Sequence, residues 1–272
     1  MNPTAVALNQ PATSNTTSAL FDGHGRCIPF ELAAAVHHKT RRYFAFAQPA
    51  INYADIHARI TGHLGIPARL SAKEFEQRAE AILQRLRDDP RTSGIANGVR
   101  VPIILPKASY PDYGEALEQI YLPAMSNAFT EKFPGYNFVN HHKSGLIGKL
   151  GVASQSRHQR LLAAMRQNQI VGYFFPCLTE YSIPAALEQI SKLPEQFLLA
   201  GGFDTSAALI GSPDLLLKTD GYPPLLWLAA LTGEKENVGY HFEAYGYNLT
   251  FNRRPHFGQV AEYWASGLVV LG

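Results

Sequence analysis

The sequence predicts an α/β fold, in which a mixed, mainly parallel sheet is flanked by helices and a C-terminal antiparallel hairpin is added. Two observations predict this fold class. Short apolar segments alternate with amphipathic helical segments over most of the chain. Aromatic and aliphatic residues then recur mainly at every second position over 238–251, a spacing typical of a hairpin. We expect a disordered polar tail at 1–18 and a single α/β domain over 19–272.

The clearest helices are marked by their starting residues. Asn52 is expected to cap a helix, and Ser71 with Glu74 forms a capping box before a second, strongly amphipathic helix. The segment 112–132 is helical in pattern, although Pro123 lacks a backbone donor and must kink or split it. The other predicted helices are 29–39, 155–167, 182–192 and 224–231, and the predicted strands are 43–47, 99–105, 136–139, 170–175, 197–199 and 215–217.

Charge and hydropathy exclude several classes of partner. The 24 basic and 22 acidic residues are well mixed, and the densest basic cluster, 39–42, is too short for a nucleic-acid-binding stripe. No apolar window is long enough to span a membrane, and the N-terminal segment does not have the pattern of a signal peptide. Two cysteines, Cys27 and Cys177, are too few for a disulfide framework. We therefore expect a cytoplasmic protein with neither a nucleic-acid nor a membrane partner.

The chain is poor in charge and rich in aromatic residues. Charged residues make up 17% of it, and it contains 13 Tyr and 15 Phe. A surface with so little charge suggests that part of it is covered by a second copy of the chain, and we expect a homodimer. A large, well-filled core is the alternative explanation.

The segment around Gly201 and Gly202 is the first candidate site. An apolar strand at 197–199 precedes the glycines, and three polar residues follow where a helix could begin: Asp204, Thr205 and Ser206. Glycine amides at a helix start can receive an anionic group, with Thr205 and Ser206 as further ligand-binding residues. Asp204 would position a metal or a substrate hydroxyl. A glycine turn that simply closes the strand is the alternative.

The same segment, FLLAGGFDTSAAL, resembles the pyrophosphate loop SGG-x-D-[ST]-S of ATP pyrophosphatases of the argininosuccinate synthase and asparagine synthetase type. Five residues match that pattern: Gly201, Gly202, Asp204, Thr205 and Ser206. Ala200 stands in place of its serine, and the resemblance covers this loop alone. In that family most of the sheet follows the loop, whereas only the last quarter of this chain follows Asp204.

A second glycine-rich turn, Asp22-Gly23-His24-Gly25, resembles the DGHG element of the metal-dependent protein phosphatases, which helps to hold a metal pair. That family needs an upstream strand and an acidic ligand, and here only the polar tail precedes the turn. A metal site is also conceivable at His241, Glu243 and His256, because the first two share one face of a strand. Buried histidines with hydrogen-bond partners are the alternative, and the sequence leaves both metals and cofactors unknown.

Four further residues follow predicted strands, where α/β proteins usually place their sites. Cys177 and Glu180 come after one strand, and His141 and His142 come after another. Cys177 could be a nucleophile, although a lone cysteine also serves as a small apolar side chain. With Asp204, these residues form the predicted catalytic set of a small-molecule enzyme whose ligand is anionic or phosphorylated and whose reaction class stays open. The alternative is a non-catalytic binding or structural subunit with an aromatic, low-charge interface.

Overall fold

The computed structural model describes residues 18–37, 43–67, 69–217, 221–246 and 248–272, so the predicted tail lies outside it except for Ser18. The helices in these ranges are α1 (Tyr53–His63), α2 (Ala72–Asp88), α3 (Tyr113–Ala116), α4 (Leu122–Lys132), α5 (His158–Gln167), α6 (Ile183–Lys192) and α7 (Gly202–Gly211). The strands are β1 (Val101–Leu105), β2 (Phe138–Asn140), β3 (Gly151–Val152), β4 (Ile170–Thr179), β5 (Phe197–Leu199), β6 (Leu225–Trp227), β7 (Leu231–Thr232), β8 (Val238–Tyr245), β9 (Asn248–Pro255) and β10 (Trp264–Leu271).

Eight strands form one mixed sheet with helices packed against it. Its order is β1-β4-β10-β6-β8-β9-β2, and β5 also pairs with β10. The predicted mixed sheet and the hairpin are present, the latter as β8 and β9. Five of the seven pairings in the sheet are antiparallel, and only β10–β6 and β2–β9 are parallel. The prediction of a mainly parallel sheet is therefore wrong.

Strand β10, which was not predicted from the sequence, explains this error. β4, α6 and β5 follow one another as a strand–helix–strand unit, which predicts two neighbouring parallel strands. In the structure β10 lies between β4 and β5 and runs antiparallel to both. No strand was predicted over 264–271, so β4 and β5 were expected to be neighbours, whereas β10 separates them.

Four other predicted elements differ from the structure. The described residues of 29–39 form no helix, because amides of Phe30, Ala33 and Ala34 donate to the side chains of Gln189 and Glu188 on α6. The segment 43–47 forms no strand, and 215–217 overlaps a 3₁₀ turn at Pro213–Leu216. The predicted helix 224–231 contains β6 instead. Its apolar residues are buried on both faces, and such a short apolar run has no periodicity that separates strand from helix.

Two predicted helix starts are confirmed, and the proline segment shows how a chain accommodates a missing donor. Asn52 caps α1 and the Ser71–Glu74 capping box starts α2. The segment 113–132 stays helical, but over Leu117–Tyr121, just before Pro123, its hydrogen bonds link residues five apart, as in a π helix. A local π turn is a common way to change helix geometry beside a proline.

Helix α7 is central to the core. All ten of its residues are buried, and it packs against β1, α1 and α4. Phe203 of α7 is stacked between the rings of Tyr113 and Tyr121, with centroid distances of 4.1 and 4.4 Å. Among the described residues, no helix combines the length and the apolar character needed to cross a bilayer.

Candidate functional site

The predicted Gly201–Gly202 turn links β5 to α7, and Gly201 is the residue that precedes the helix. Both glycine amides already donate hydrogen bonds inside the protein. The Gly201 amide donates to Asp204 Oδ1 at 2.9 Å, and the Gly202 amide donates to the hydroxyl of Tyr113 at 2.8 Å. An anion at this helix start would therefore have to displace the Asp204 carboxylate or the Tyr113 phenol.

The position of Gly201 requires glycine for a steric reason. A Cβ atom there would lie 2.6 Å from His158 Nε2 and 2.8 Å from the Tyr113 hydroxyl oxygen. Such distances are far below van der Waals contact. The close approach that the sequence predicted at this glycine is therefore made to protein side chains of α5 and α3.

Tyr113, His158 and Asp204 form a buried polar network behind the turn. The Tyr113 hydroxyl lies 3.2 Å from His158 Nε2 and, because it accepts from Gly202, its own proton can go to this nitrogen. His158 Nδ1 then donates to the Leu199 carbonyl at 3.2 Å, and it lies 3.9 Å from Asp204 Oδ2. Each ring nitrogen of His158 thus has a partner within the fold.

Burial dominates the electrostatics of this network. Burial raises the pKa of Asp204, while His158 and backbone amides counteract that rise. Burial and the charge of Asp204 raise the pKa of Tyr113 well above its usual value. At neutral pH the phenol is protonated, as its role as a donor to His158 requires.

The polar side chains that follow Asp204 are also enclosed. Thr205 and Ser206 are buried, and their hydroxyl oxygens have no hydrogen-bond partner among the described residues. A cavity of about 260 Å³ lies beside the turn. Its wall includes Tyr113 and Phe203, but Gly201, Gly202 and Asp204 do not line it. The predicted ligand-binding residues are therefore behind this wall, and their role in binding stays a prediction.

Cys177 and Glu180 lie at the end of β4, each in its own environment. Cys177 is 5% exposed, and burial raises the pKa of its thiol well above the usual range. Both cysteines are free, and burial raises the pKa of Cys27 to about 12. Glu180 is buried with a left-handed backbone, φ 63°, and its amide donates to the Trp264 carbonyl at 2.7 Å. A thiol with a raised pKa holds its proton at neutral pH and is a poor nucleophile.

His141 and His142 follow β2 and differ in exposure. His141 is exposed, and its amide donates to the Phe251 carbonyl at 3.0 Å. His142 is buried, its Nε2 lies 2.9 Å from the Gly145 carbonyl oxygen, and its ring contacts Tyr240 edge to face. Burial lowers the pKa of His142. The predicted catalytic residues thus occupy three places, namely the start of α7, the end of β4 and the loop after β2.

The described residues contain no group of three or more His, Cys, Asp or Glu side chains placed to hold a metal ion. At the predicted strand pair, His241 Nε2 lies 3.4 Å from Glu243 Oε2, while Arg254 binds the same carboxylate oxygen at 2.8 Å. At the glycine-rich turn Asp22-Gly23-His24-Gly25, Arg26 binds Asp22 Oδ2 at 2.6 Å. Because arginines occupy both carboxylates, neither arrangement is suited to a cation.

Cys177 contributes to the wall of a second cavity, of about 440 Å³, which we call the Cys177 cavity. β1 pairs with β4 only as far as Phe174, so the later residues of β4 have no β1 partner. The Cys177 cavity lies beside this part of β4. The Cys27 amide donates to the Cys177 carbonyl at 3.0 Å and brings the 22–27 turn to this part of β4. The wall also includes Phe44, Phe46, Arg26, Arg100, Pro176 and Thr179.

A close contact between two glycines fixes the two loops that border the Cys177 cavity. Gly25 has a φ of +75°, and a Cβ there would lie 2.2 Å from the Gly98 amide nitrogen. Only glycine permits both this backbone conformation and this separation. The neighbouring residues Arg26 and Arg100 are thereby held on the same cavity wall.

Of the two arginines on the wall of the Cys177 cavity, Arg26 is paired with Asp22, and Arg100 supplies the positive charge. None of the described residues that line the cavity is Asp or Glu, and Arg100 forms no ion pair with a described residue. Arg100 Nε and Thr179 Oγ1 are buried polar atoms with no hydrogen-bond partner in the described ranges. Buried polar groups are normally satisfied, so these two atoms, on residues that line the Cys177 cavity, are exceptions in the fold.

Sequence reasoning singled out Cys177, His24 and Gly25 of this cavity, but it assigned other roles to them. Arg26, Arg100 and Thr179 are far apart in the sequence and belong to no motif. The available signal was the glycine-rich turn Asp22-Gly23-His24-Gly25, which was interpreted as a plain turn or as a metal-binding element. No protein family, curated protein or solved structure matches this chain.

Proposed function

We propose that this protein binds a small molecule in the Cys177 cavity, and that the ligand is a compact anion with an apolar body. The observation that carries the proposal is the pair of buried, unpartnered groups, Arg100 Nε and Thr179 Oγ1, in a cavity with two phenylalanine walls. A volume of about 440 Å³ is within the range typical of small-molecule sites. The Arg100 guanidinium already donates from Nη1 to the Ala96 carbonyl at 3.0 Å, and its remaining donors would bind a carboxylate or phosphate. Phe44 and Phe46 would contact the apolar body.

Within this proposal Cys177 contributes shape, and it is not a nucleophile. The raised pKa of its thiol supports that assignment, because the thiolate is the reactive form. A cytoplasmic location remains part of the proposal, supported by two free and buried thiols. An enzymatic role and the reaction class stay open predictions, as does the absence of nucleic-acid and membrane partners.

The proposal is tested by a matched pair of threonine variants. Thr179→Val removes the hydroxyl of a lining residue of the Cys177 cavity, and Thr205→Val removes another unpartnered hydroxyl beside the Gly201 turn, on a more deeply buried side chain. Neither hydroxyl has a partner among the described residues, so we expect both variants to fold. Binding of benzoate and phenyl phosphate is measured by thermal shift and by titration calorimetry.

We expect Thr179→Val to weaken binding by about tenfold, since one hydrogen bond to an anion is lost, and Thr205→Val to bind as the wild type does. The opposite result would move the ligand site to the Gly201 turn, as the sequence analysis predicted. If neither probe binds the wild type, the proposed ligand chemistry is wrong.

A further inference from the structure

A third feature of the surface is an open groove of about 760 Å³. It is bordered by the end of β1, the start of β4 and helices α2 and α5. Three basic residues line it from three separate segments: Arg69 before α2, Arg78 within α2 and Lys107 after β1. None of its lining residues lines the Cys177 cavity, so we treat it as a distinct feature.

The positive charge of this basic groove is only partly neutralised by the protein's own side chains, since Arg78 interacts electrostatically with Glu74 one turn away on α2. No Asp or Glu is among the described residues that line it. Arg69, Arg78 and Lys107 form no ion pair with any residue of the described ranges, whereas Arg26, Arg87 and Arg157 each have a carboxylate partner. Like charges that share a groove repel one another, and an anion removes that repulsion.

A fourth group adds a directional donor. The side-chain nitrogen of Gln169 is buried and has no hydrogen-bond acceptor among the described residues, and Gln169 also lines the groove. An amide N–H without an acceptor is costly to bury. This observation is independent of the three cations, and it points to an acceptor supplied by a ligand.

We propose that the basic groove binds a molecule with two or more linked phosphates. Three cations from separate elements exceed what a single carboxylate needs, and they match the spread of charge in a polyphosphate chain. Apolar residues such as Ile66, Leu70 and Ile170 form another part of the wall. Inorganic polyphosphate and the phosphate chain of a nucleotide share the recognised chemistry, and a nucleotide would in addition use this apolar wall.

Titration calorimetry with inorganic tripolyphosphate and with ATP tests the proposal. The test variant is Arg69→Gln with Lys107→Gln, two exposed side chains whose loss leaves the core intact. The control, Lys132→Gln with Lys143→Gln, removes the same charge from exposed positions outside the groove. We expect the test variant to lose about tenfold or more in affinity for tripolyphosphate, and the control to stay within about twofold.

A further variant, Gln169→Leu, separates directional binding from general charge attraction. It leaves every charge in place and removes the buried donor, and we expect weaker binding of both probes. Affinity for ATP about tenfold above that for tripolyphosphate would assign the site to nucleotides, and equal affinity would assign it to the phosphate chain alone. Equal losses in the test and control variants, or no binding of either probe by the wild type, would overturn the proposal.

Discussion

Replacement of Tyr113 by phenylalanine removes one hydroxyl from the junction of α3, α5 and α7. In the wild type this oxygen accepts from the Gly202 amide at 2.8 Å and lies 3.2 Å from His158 Nε2. The variant leaves both of these buried groups without their partner. The ring is unchanged, so its stack on Phe203, with centroids 4.1 Å apart, is preserved.

The size of the effect follows from these two groups. Each buried polar group that loses its partner costs about 1–3 kcal/mol, so two would cost about 2–6 kcal/mol. Because the contact to His158 is long, at 3.2 Å, we expect the free energy of unfolding to fall by the lower part of that range, about 2–4 kcal/mol. With a urea m-value of about 3 kcal/mol/M for a chain of this length, the unfolding midpoint moves down by about 1 M. This is a large fraction of the roughly 5–15 kcal/mol that stabilises a typical domain.

The measurement is urea unfolding followed by the fluorescence of Trp227 and Trp264, both of which are buried. Tyr110→Phe is the matched control, since its hydroxyl has only a 3.5 Å contact with the Tyr121 hydroxyl and should matter by less than about 1 kcal/mol. If Tyr113→Phe and Tyr110→Phe lower the free energy of unfolding by equally small amounts, Tyr113 does not stabilise the start of α7, and the network of Tyr113, His158 and Asp204 has no structural role.

Three further predictions concern the predicted site residues and the assembly. Asp204→Asn keeps an acceptor for the Gly201 amide and removes a buried carboxylate, whereas Asp204→Ala removes both the acceptor and the carboxylate. In urea unfolding at pH 8 we expect the Asn variant to be at least as stable as the wild type and the Ala variant to be less stable. Because burial raises the pKa of Asp204 above its usual 3.8, the folded wild type binds an extra proton and loses stability as the pH rises from 3.8 through the raised value, so the advantage of Asn should grow over that rise. Loss of ligand binding in a stable Asn variant would instead support the functional role predicted from the sequence. Cys177 should react with iodoacetamide at pH 8 much more slowly in the folded protein than in urea, because burial raises its pKa, and mass spectrometry after timed quenching would detect the opposite result. Light scattering at micromolar concentration should report more than one 30.0 kDa chain, and a monomer would favour a large core as the reason for the low charge.

Local signals in the sequence predicted the helix starts well. A cap acts over three or four residues, and the necessary side chains at Asn52, Ser71 and Glu74 are all present within that distance. The strand Phe197–Leu199 was likewise predicted with its observed bounds, because glycines end it immediately. Such elements depend on residues that are close in the sequence, and for that reason they can be predicted from the sequence alone.

Elements that depend on distant contacts were predicted less well. The apolar residues of β6 are buried on both faces, and only their pairing with β8 and β10 decides that they form a strand. The predicted helix at 29–39 fails for a similar reason, since the α6 side chains of Glu188 and Gln189 bind its backbone amides. In both cases tertiary hydrogen bonds outweigh local preference.

The candidate site was the least predictable part. The sequence drew attention to Gly201 and Asp204 because glycines and polar residues follow a strand there, a pattern shared by ligand-binding loops and by tightly packed turns. The Cys177 cavity instead combines Arg26, Arg100 and Thr179, whose proximity depends on the edge of β4 and on the Gly25–Gly98 contact. No spacing along the chain encodes that proximity.

The position of β10 has a consequence for how the protein reaches its native state on the ribosome. This strand follows every other strand in the chain, yet it lies inside the sheet and joins β4 on one edge to β5 and β6 on the other. Until residues 264–271 have emerged, the β1–β4 pair and the β6–β8–β9 group have no strand between them, and their apolar edges are open to other chains. The sheet of the nascent chain therefore stays incomplete until β10 emerges, and we expect the chain to depend on chaperones that shield exposed strand edges during synthesis.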